Sequence, residues 1–198
     1  MASRQSSLAG KILIAMPGMT DDNFADTTVL VCAHSSEGAM GLITNKLADN
    51  MSFARLVDHL DLLDDGDAIE PVEAGSPDDC PVQIGGPVEP SRGFVLHTPD
   101  YFVDGSSVRV VGDICLTATV DILRTMAVGN GPQDAILALG YSAWEPGQLE
   151  QEIQANGWLH TDASTDLVFE RAPEQKYTAA MDQLGIDPSF LITSGGRA

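Results

Sequence analysis

Basic side chains are scarce in this sequence: 10 Lys and Arg stand against 29 Asp and Glu, a formal charge of −19 over 198 residues. The few cations are scattered singly from Arg4 to Arg197. A nucleic-acid backbone is held by clustered cations that release its counterions, so no direct nucleic-acid binding is expected. The acids are read as a solvated surface. Cysteine is also sparse. Cys32, Cys80 and Cys115 form no Cys-x-x-Cys pair, which leaves neither a disulfide framework nor a zinc knuckle and points to a reducing cytoplasm. Long apolar runs are missing near the start, where Ile12 to Met16 is too short for a signal segment or a membrane span. No membrane association is expected.

The usual catalytic signatures are missing too. Gly140-Tyr141-Ser142-Ala143-Trp144 lacks the second glycine of a nucleophile elbow, Gly129-Asn130-Gly131 lacks the third glycine of a dinucleotide loop, and no phosphate-binding P-loop occurs. No cofactor and no metal are expected.

At 43% hydrophobic, the chain is long enough for one substantial core. Residues 11–198 are read as a single domain behind a flexible polar tail, 1–10. Lys11 to Met16, Thr28 to His34 and Ala39 to Asn45 are short and apolar, a strand followed by a β-hairpin. From Ser52, the spacing of Phe53, Leu56, Val57, Leu60 and Leu63 predicts a helix ending by Asp64. Residues 64–80 are acidic and aperiodic, and are read as a mobile loop. Strands are predicted at Val82 to Gly85, Gly93 to Thr98, Val108 to Val111 and Ile114 to Ala118. A helix begins at about Thr119, with Val120, Leu123 and Ala127 on one face, stopped at Gly129. Ala135 to Tyr141 reads as a central strand. Pro146 opens a short helix with Leu149, Ile153 and Trp158 along its apolar edge. Leu167 to Phe169 reads as a last strand, and Pro173 begins a helix whose Tyr177, Ala180, Met181 and Leu184 share a face. The mixture gives an α+β domain with a mixed sheet.

Three stretches carry a more specific signal. They are Gly85-Gly86-Pro87 running on to His97, Gly10 to Met19 with Gly38 to Asn45, and Leu139 to Glu150. Together they resemble the AlgH/YqgE family of bacterial proteins over nearly the whole chain, interrupted by the acidic loop. The resemblance implies a curled, bifurcated β-sheet folded into a pseudo-barrel with peripheral helices. It also implies an association with gene regulation, without a mechanism or an established chemistry. Two departures stand out. Asn45-Lys46-Leu47 replaces the family's Asn-Arg-Pro, and Gly196-Arg197-Ala198 replaces its terminal Gly-His-Ala. A lysine does not reproduce a bidentate guanidinium.

Two groupings are candidates for chemistry. Cys32 and His34 face one side of a strand, with Glu37 at the following turn and His97 ending another strand; if His34, Glu37 and His97 converge, acid–base or metal-assisted chemistry becomes available. The competing reading packs Cys32 in the core and gives His34 a strand-end backbone partner. In the second grouping, Gly85, Gly86 and Pro87 permit close approach of a ligand or another chain segment. Arg92 there has two candidate roles: meeting an anion near a helix start at Gly147 and Gln148, or pairing internally with Glu150 or Glu152. Trp144 and Trp158 read as core or interface anchors. The leading functional reading is a cytoplasmic, non-enzymatic binding or regulatory protein that meets a small ligand or protein partner near this turn. A small enzyme built on His34, Glu37 and His97 is the alternative, and a transcriptional regulator the second alternative.

Overall fold

The computed structural model describes residues 7–49, 51–60, 62, 80–187 and 191. The predicted acidic loop lies outside them except for Cys80, as do residues 1–6 and 192–198. Strands β1 (Lys11–Ala15), β2 (Thr28–Ser35) and β3 (Gly38–Ile43) form an antiparallel ladder, with β2 and β3 joined as the expected hairpin. Ile12, Leu13, Ile14 and Ala15 are all fully buried. With a period of two, Ile12 and Ile14 enter one hydrophobic cluster while Leu13 and Ala15 enter another, so β1 divides two cores.

Helix α1 (Phe53–His59) starts where Ser52 accepts the Arg55 N–H. After it come β4 (Val82–Ile84), β5 (Val88–His97), β6 (Ser107–Val111), β7 (Ile114–Thr117) and α2 (Val120–Ala127). The chain continues with β8 (Ala135–Trp144), α3 (Gln148–Gln154), β9 (Trp158–Asp162), a π-helical turn over Asp166–Glu170 and α4 (Pro173–Gln183). The nine strands make one sheet in the order β6-β7-β5-β8-β3-β2-β1-β9, with β4 beside β8. Among the described strands only β4 and β8 run parallel.

Leu30 of β2, Leu96 of β5 and Ile114 of β7 meet in one cluster although their strands are spread across that order. A flat sheet would keep them apart, so the sheet curls into a half-barrel around them. Leu167, Val168, Ala180 and Met181 close the open side. Full burial of each such leucine, isoleucine, valine or methionine contributes roughly 1.5–3 kcal/mol. The outer faces are covered separately, by α1 and α2 over Val95 and Leu137, and by α3 over Leu13 and Val31. This is the single-domain α+β architecture expected from the sequence.

Four local expectations are revised. Trp158 begins β9 instead of edging a helix, because Asn156 at φ 57° and Gly157 turn the chain first. The strand expected at Leu167 to Phe169 is a π-helical turn, where Ser164 accepts the Val168 N–H through its carbonyl and the Leu167 N–H through its hydroxyl. That turn directs both Leu167 and Val168 inward. In α2 the buried face is Ile122, Leu123, Met126 and Ala127, and Val120 is half exposed. The expected tail is anchored over residues 7–10: Leu8 N–H donates to His34, and Gly10 N–H donates to the Val31 carbonyl at 2.8 Å.

The sheet forks along β8. Its first half, Ala135 to Leu139, lies between β5 and β4, whereas Ser142 to Trp144 pairs with β3. Gly140, at φ 72°, sits at the changeover. Gly85 N–H donates to the Leu139 carbonyl at 2.8 Å, and the Gly85 carbonyl accepts Ile43 N–H at 2.9 Å and the Ser142 hydroxyl at 3.3 Å. A Cβ on Gly85 would fall 2.3 Å from the Gly140 oxygen, and one on Gly140 would fall 2.5 Å from the Gly86 oxygen. Three backbones therefore meet where side chains have no room.

Candidate functional site

The close approach permitted by Gly85 and Gly86 is used by another segment of the chain. Beyond the fork the packing opens. The β5–β8 register moves from Val88 opposite Tyr141 to Gly93 opposite Leu139, so Glu89, Pro90, Ser91 and Arg92 bulge against Gly140. Glu89 takes a left-handed φ of 45° there. The bulge leaves Arg92 more than half exposed, with Nη1 donating to Glu89 Oε2 at 3.1 Å and its guanidinium carbon 5.2 Å from the Phe94 ring centre.

This corrects the internal tie expected between Arg92 and Glu150 or Glu152. Those carboxylates are engaged elsewhere. Glu150 Oε1 accepts from His34 Nε2 at 3.0 Å, and Glu152 Oε2 accepts from both indoles, Trp144 Nε1 at 2.9 Å and Trp158 Nε1 at 2.8 Å. An exposed i,i+3 pair contributes about 0–1 kcal/mol. Arg92→Ala is accordingly expected to shift the midpoint of a urea melt by the equivalent of less than about 1 kcal/mol. A loss several times larger would restore a structural role for the guanidinium.

Arg92 borders an apolar cleft of about 280 Å³. Val95 of β5 with Leu137 and Leu139 of β8 form its sheet-side lining; Leu56 of α1, Leu60 at its C-cap and Leu123 of α2 line it from the helices. Ser91, Thr119 and Val120 also line it. The cleft adjoins the fork through Leu139, whose carbonyl receives Gly85 N–H. Neither Gly147 nor Gln148 lines it.

The helix-borne lining was not identified as a site from sequence, although a signal for it was present. Phe53 and Val57 are fully buried and fill the core ridge of α1. Leu56 and Leu60 make a second i,i+4 ridge beside it, and Leu60 is 44% exposed. A short helix with two apolar ridges has more apolar surface than one core contact requires.

The histidines enter separate networks. His34 Nδ1 accepts Leu8 N–H at 3.0 Å, which fixes the ring hydrogen of the neutral imidazole on Nε2, directed at Glu150. His97 is fully buried: Nδ1 donates to the Thr98 carbonyl at 2.8 Å and Nε2 meets the Thr117 hydroxyl at 2.8 Å, which in turn contacts Ser107 at 2.7 Å. Burial pushes the His97 imidazole below its ordinary range, opposed by the Thr98 carbonyl and Asp100. Glu37 is exposed on the β2–β3 turn. Among the described residues no three His, Cys, Asp or Glu side chains are grouped to hold a metal ion. Burial pushes the Cys32 and Cys80 thiols up to about 12 and raises Cys115 as well, which suppresses the nucleophilic thiolates.

The remaining motif residues hold the fold together. Trp144, Trp158 and Phe24 pack edge-on or tilted with ring centres 5.5–6.3 Å apart, and Gln148 Nε2 donates to Glu152 Oε1 at 2.8 Å. Gly147, at φ 75°, precedes α3. Asn45 clamps the strand ends by accepting Thr28 N–H and donating to the Asp26 carbonyl, while Lys46 donates to the Asp22 and Asn23 carbonyls. Among the described residues no helix is long and apolar enough to cross a membrane.

A protein-family model described as AlgH-like (DUF179) matches residues 12–189. Similar sequences include a UPF0301 protein of Methylobacterium nodulans, 53% identical over 194 residues and covering 98% of this chain and 91% of the relative. A UPF0301 protein of Nitrobacter hamburgensis is 50% identical over 197 residues, covering 100% of this chain and 90% of the relative. The solution structure of the AlgH protein from Pseudomonas aeruginosa is similar with a TM-score of 0.74 at 35% identity, covering 100% of both chains. A crystal structure of a Corynebacterium diphtheriae protein gives a TM-score of 0.70 over 98% of this chain and 95% of the other; at 18% identity the likeness is one of fold alone.

Proposed function

The chain belongs to the AlgH-like family, and from that premise we propose that it acts as a binding or regulatory protein through the cleft beside Arg92. The observation carrying this reading is the cleft itself, an apolar recess of about 280 Å³ between α1, α2 and the sheet, adjoining the glycine fork. Such recesses with a few polar groups at the edge are the ordinary form of a small-molecule site. The histidines favour binding over catalysis, because both ring nitrogens of His34 and of His97 are committed to internal partners. A regulator that contacts DNA itself would have to overcome a charge of −19 with scattered cations. Cys32, Cys80 and Cys115 are free thiols, in keeping with a reducing cytoplasm.

The reading is tested with N-phenyl-1-naphthylamine, a neutral dye that brightens in apolar surroundings. The wild-type protein should bind it saturably. Val120→Phe enlarges a half-exposed side chain in the cleft lining, and should weaken dye binding by at least about fivefold while leaving the melting temperature nearly unchanged. Equal binding by both proteins, or none by wild type, would remove the cleft as the working surface.

A further inference from the structure

We infer that the cleft takes an amphiphile with an aliphatic body and a single carboxylate head, the head meeting Arg92. The inference rests on the binding role proposed for the cleft and adds the chemistry of its occupant. The charge distribution over the lining carries it. Leu, Val, Ala and Gly supply the walls, Ser91, Thr117 and Thr119 supply hydroxyls, and among the described residues Arg92 is the one charged residue in the lining. Among the described residues no carboxylate lines the cleft, in a protein carrying 29 Asp and Glu. A cation at an otherwise apolar recess complements an anionic head joined to an apolar body.

The guanidinium is also arranged for such a head. Glu89 takes one hydrogen bond from Nη1, and the Phe94 ring lies beside the guanidinium. An arginine carries five N–H donors in a rigid fork suited to bidentate contact with a carboxylate. The Thr117 hydroxyl is turned to His97 and Ser107, whereas the Thr119 side chain makes no hydrogen bond to cap α2. Thr119 therefore offers a neutral polar contact along the lining. With an apolar body between the sheet and the helices, Arg92 selects the charge of the head.

Octanoate and octanol, which share a chain and differ in the head, are the probes. Each is titrated against N-phenyl-1-naphthylamine bound to the wild-type protein and to Arg92→Gln. Octanoate should displace the dye from wild type at a concentration about two- to fivefold lower than octanol, the size of a partly exposed charge contact. In Arg92→Gln the two should become equivalent, through weaker octanoate binding at unchanged dye and octanol affinity. Equal competition by the two on wild type, or tighter octanol binding, overturns the anionic head while leaving the cleft as a site. Failure of the dye to bind at all overturns the cleft reading instead. If sedimentation shows the protein dimerising as its concentration rises, with the dye excluded in step, the occupant is a second copy of the chain and the amphiphile is refuted.

Discussion

Gly86→Ala should lower the free energy of unfolding by more than about 3 kcal/mol, a large part of the roughly 5–15 kcal/mol that holds a typical domain folded. The new Cβ would lie 2.2 Å from the Tyr141 carbonyl carbon and 2.3 Å from its oxygen. Both are backbone atoms of β8, so relief requires shifting that strand. Gly86 also holds φ at 156°, and Gly140 faces it across the junction, so neither backbone has space to yield. Gly93→Ala supplies the comparison within the same run. Its Cβ would approach only Leu137 Cδ1, at 3.7 Å, an ordinary contact. Urea melts of the two variants should separate by several-fold in free-energy loss. Equal, small losses would mean that the junction is pliable and that the glycines serve something other than close packing.

The fork also marks the boundary of what the sequence could reveal. Gly85 and Gly86 announced close approach, because only glycine tolerates it, whereas Gly140 was not singled out for it. They did not announce that β8 changes neighbours at that point, since strand pairing depends on distant residues. The apolar runs behind β1 and β2 were legible as strands through β-branched content, and β8 through a short continuous apolar run bounded by turn residues. Trp158 was misassigned because it follows the apolar side chains of α3, although Asn156-Gly157 was a legible turn. Leu167 to Phe169 was too short a run to separate strand from helical turn, and Ser164 decided it locally. At the candidate site Arg92 was visible and its partner was not. Glu150 and Glu152 are remote in sequence, while the pairing with Glu89 depends on a bulge visible only once β5 and β8 are aligned. The cleft was hidden because it is formed by residues from two helices and a sheet.

Lys176 should impose an unusual pH dependence on stability. It lies in α4, fully buried, with Nζ donating to the Thr44 carbonyl at 2.8 Å and the Val168 carbonyl at 2.6 Å. Burial lowers its pKa to about 8, whereas an unfolded lysine titrates near about 10.4. Below pH 8 both states hold the proton and the folded protein bears the full desolvation penalty. Between about pH 8 and about pH 10.4 the unfolded chain binds the proton that the folded protein has released, so this group's contribution to stability rises with pH. The gain is about 3 kcal/mol across the window, at about 1.36 kcal/mol per pH unit. Cys32 and Cys80, with thiols raised to about 12, act in the opposite sense over part of that range. The measurement is therefore the difference between wild type and Lys176→Met in urea melts. That difference should move in favour of wild type by about 3 kcal/mol from about pH 7 to about pH 10.5. A difference independent of pH would mean that Lys176 titrates as it does in water.

The two tryptophans of the chain share a single carboxylate acceptor, Glu152 Oε2, with ring centres 6.1 Å apart. Indole emission therefore comes from one corner of the molecule, where β8 leads into α3 and β9 begins. No tryptophan lines the cleft. Intrinsic fluorescence thus reports the integrity of that corner and remains silent about occupancy beside Arg92 by a non-absorbing ligand such as octanoate. Stability is then followed through the indoles of dye-free protein, and binding through the dye excited directly.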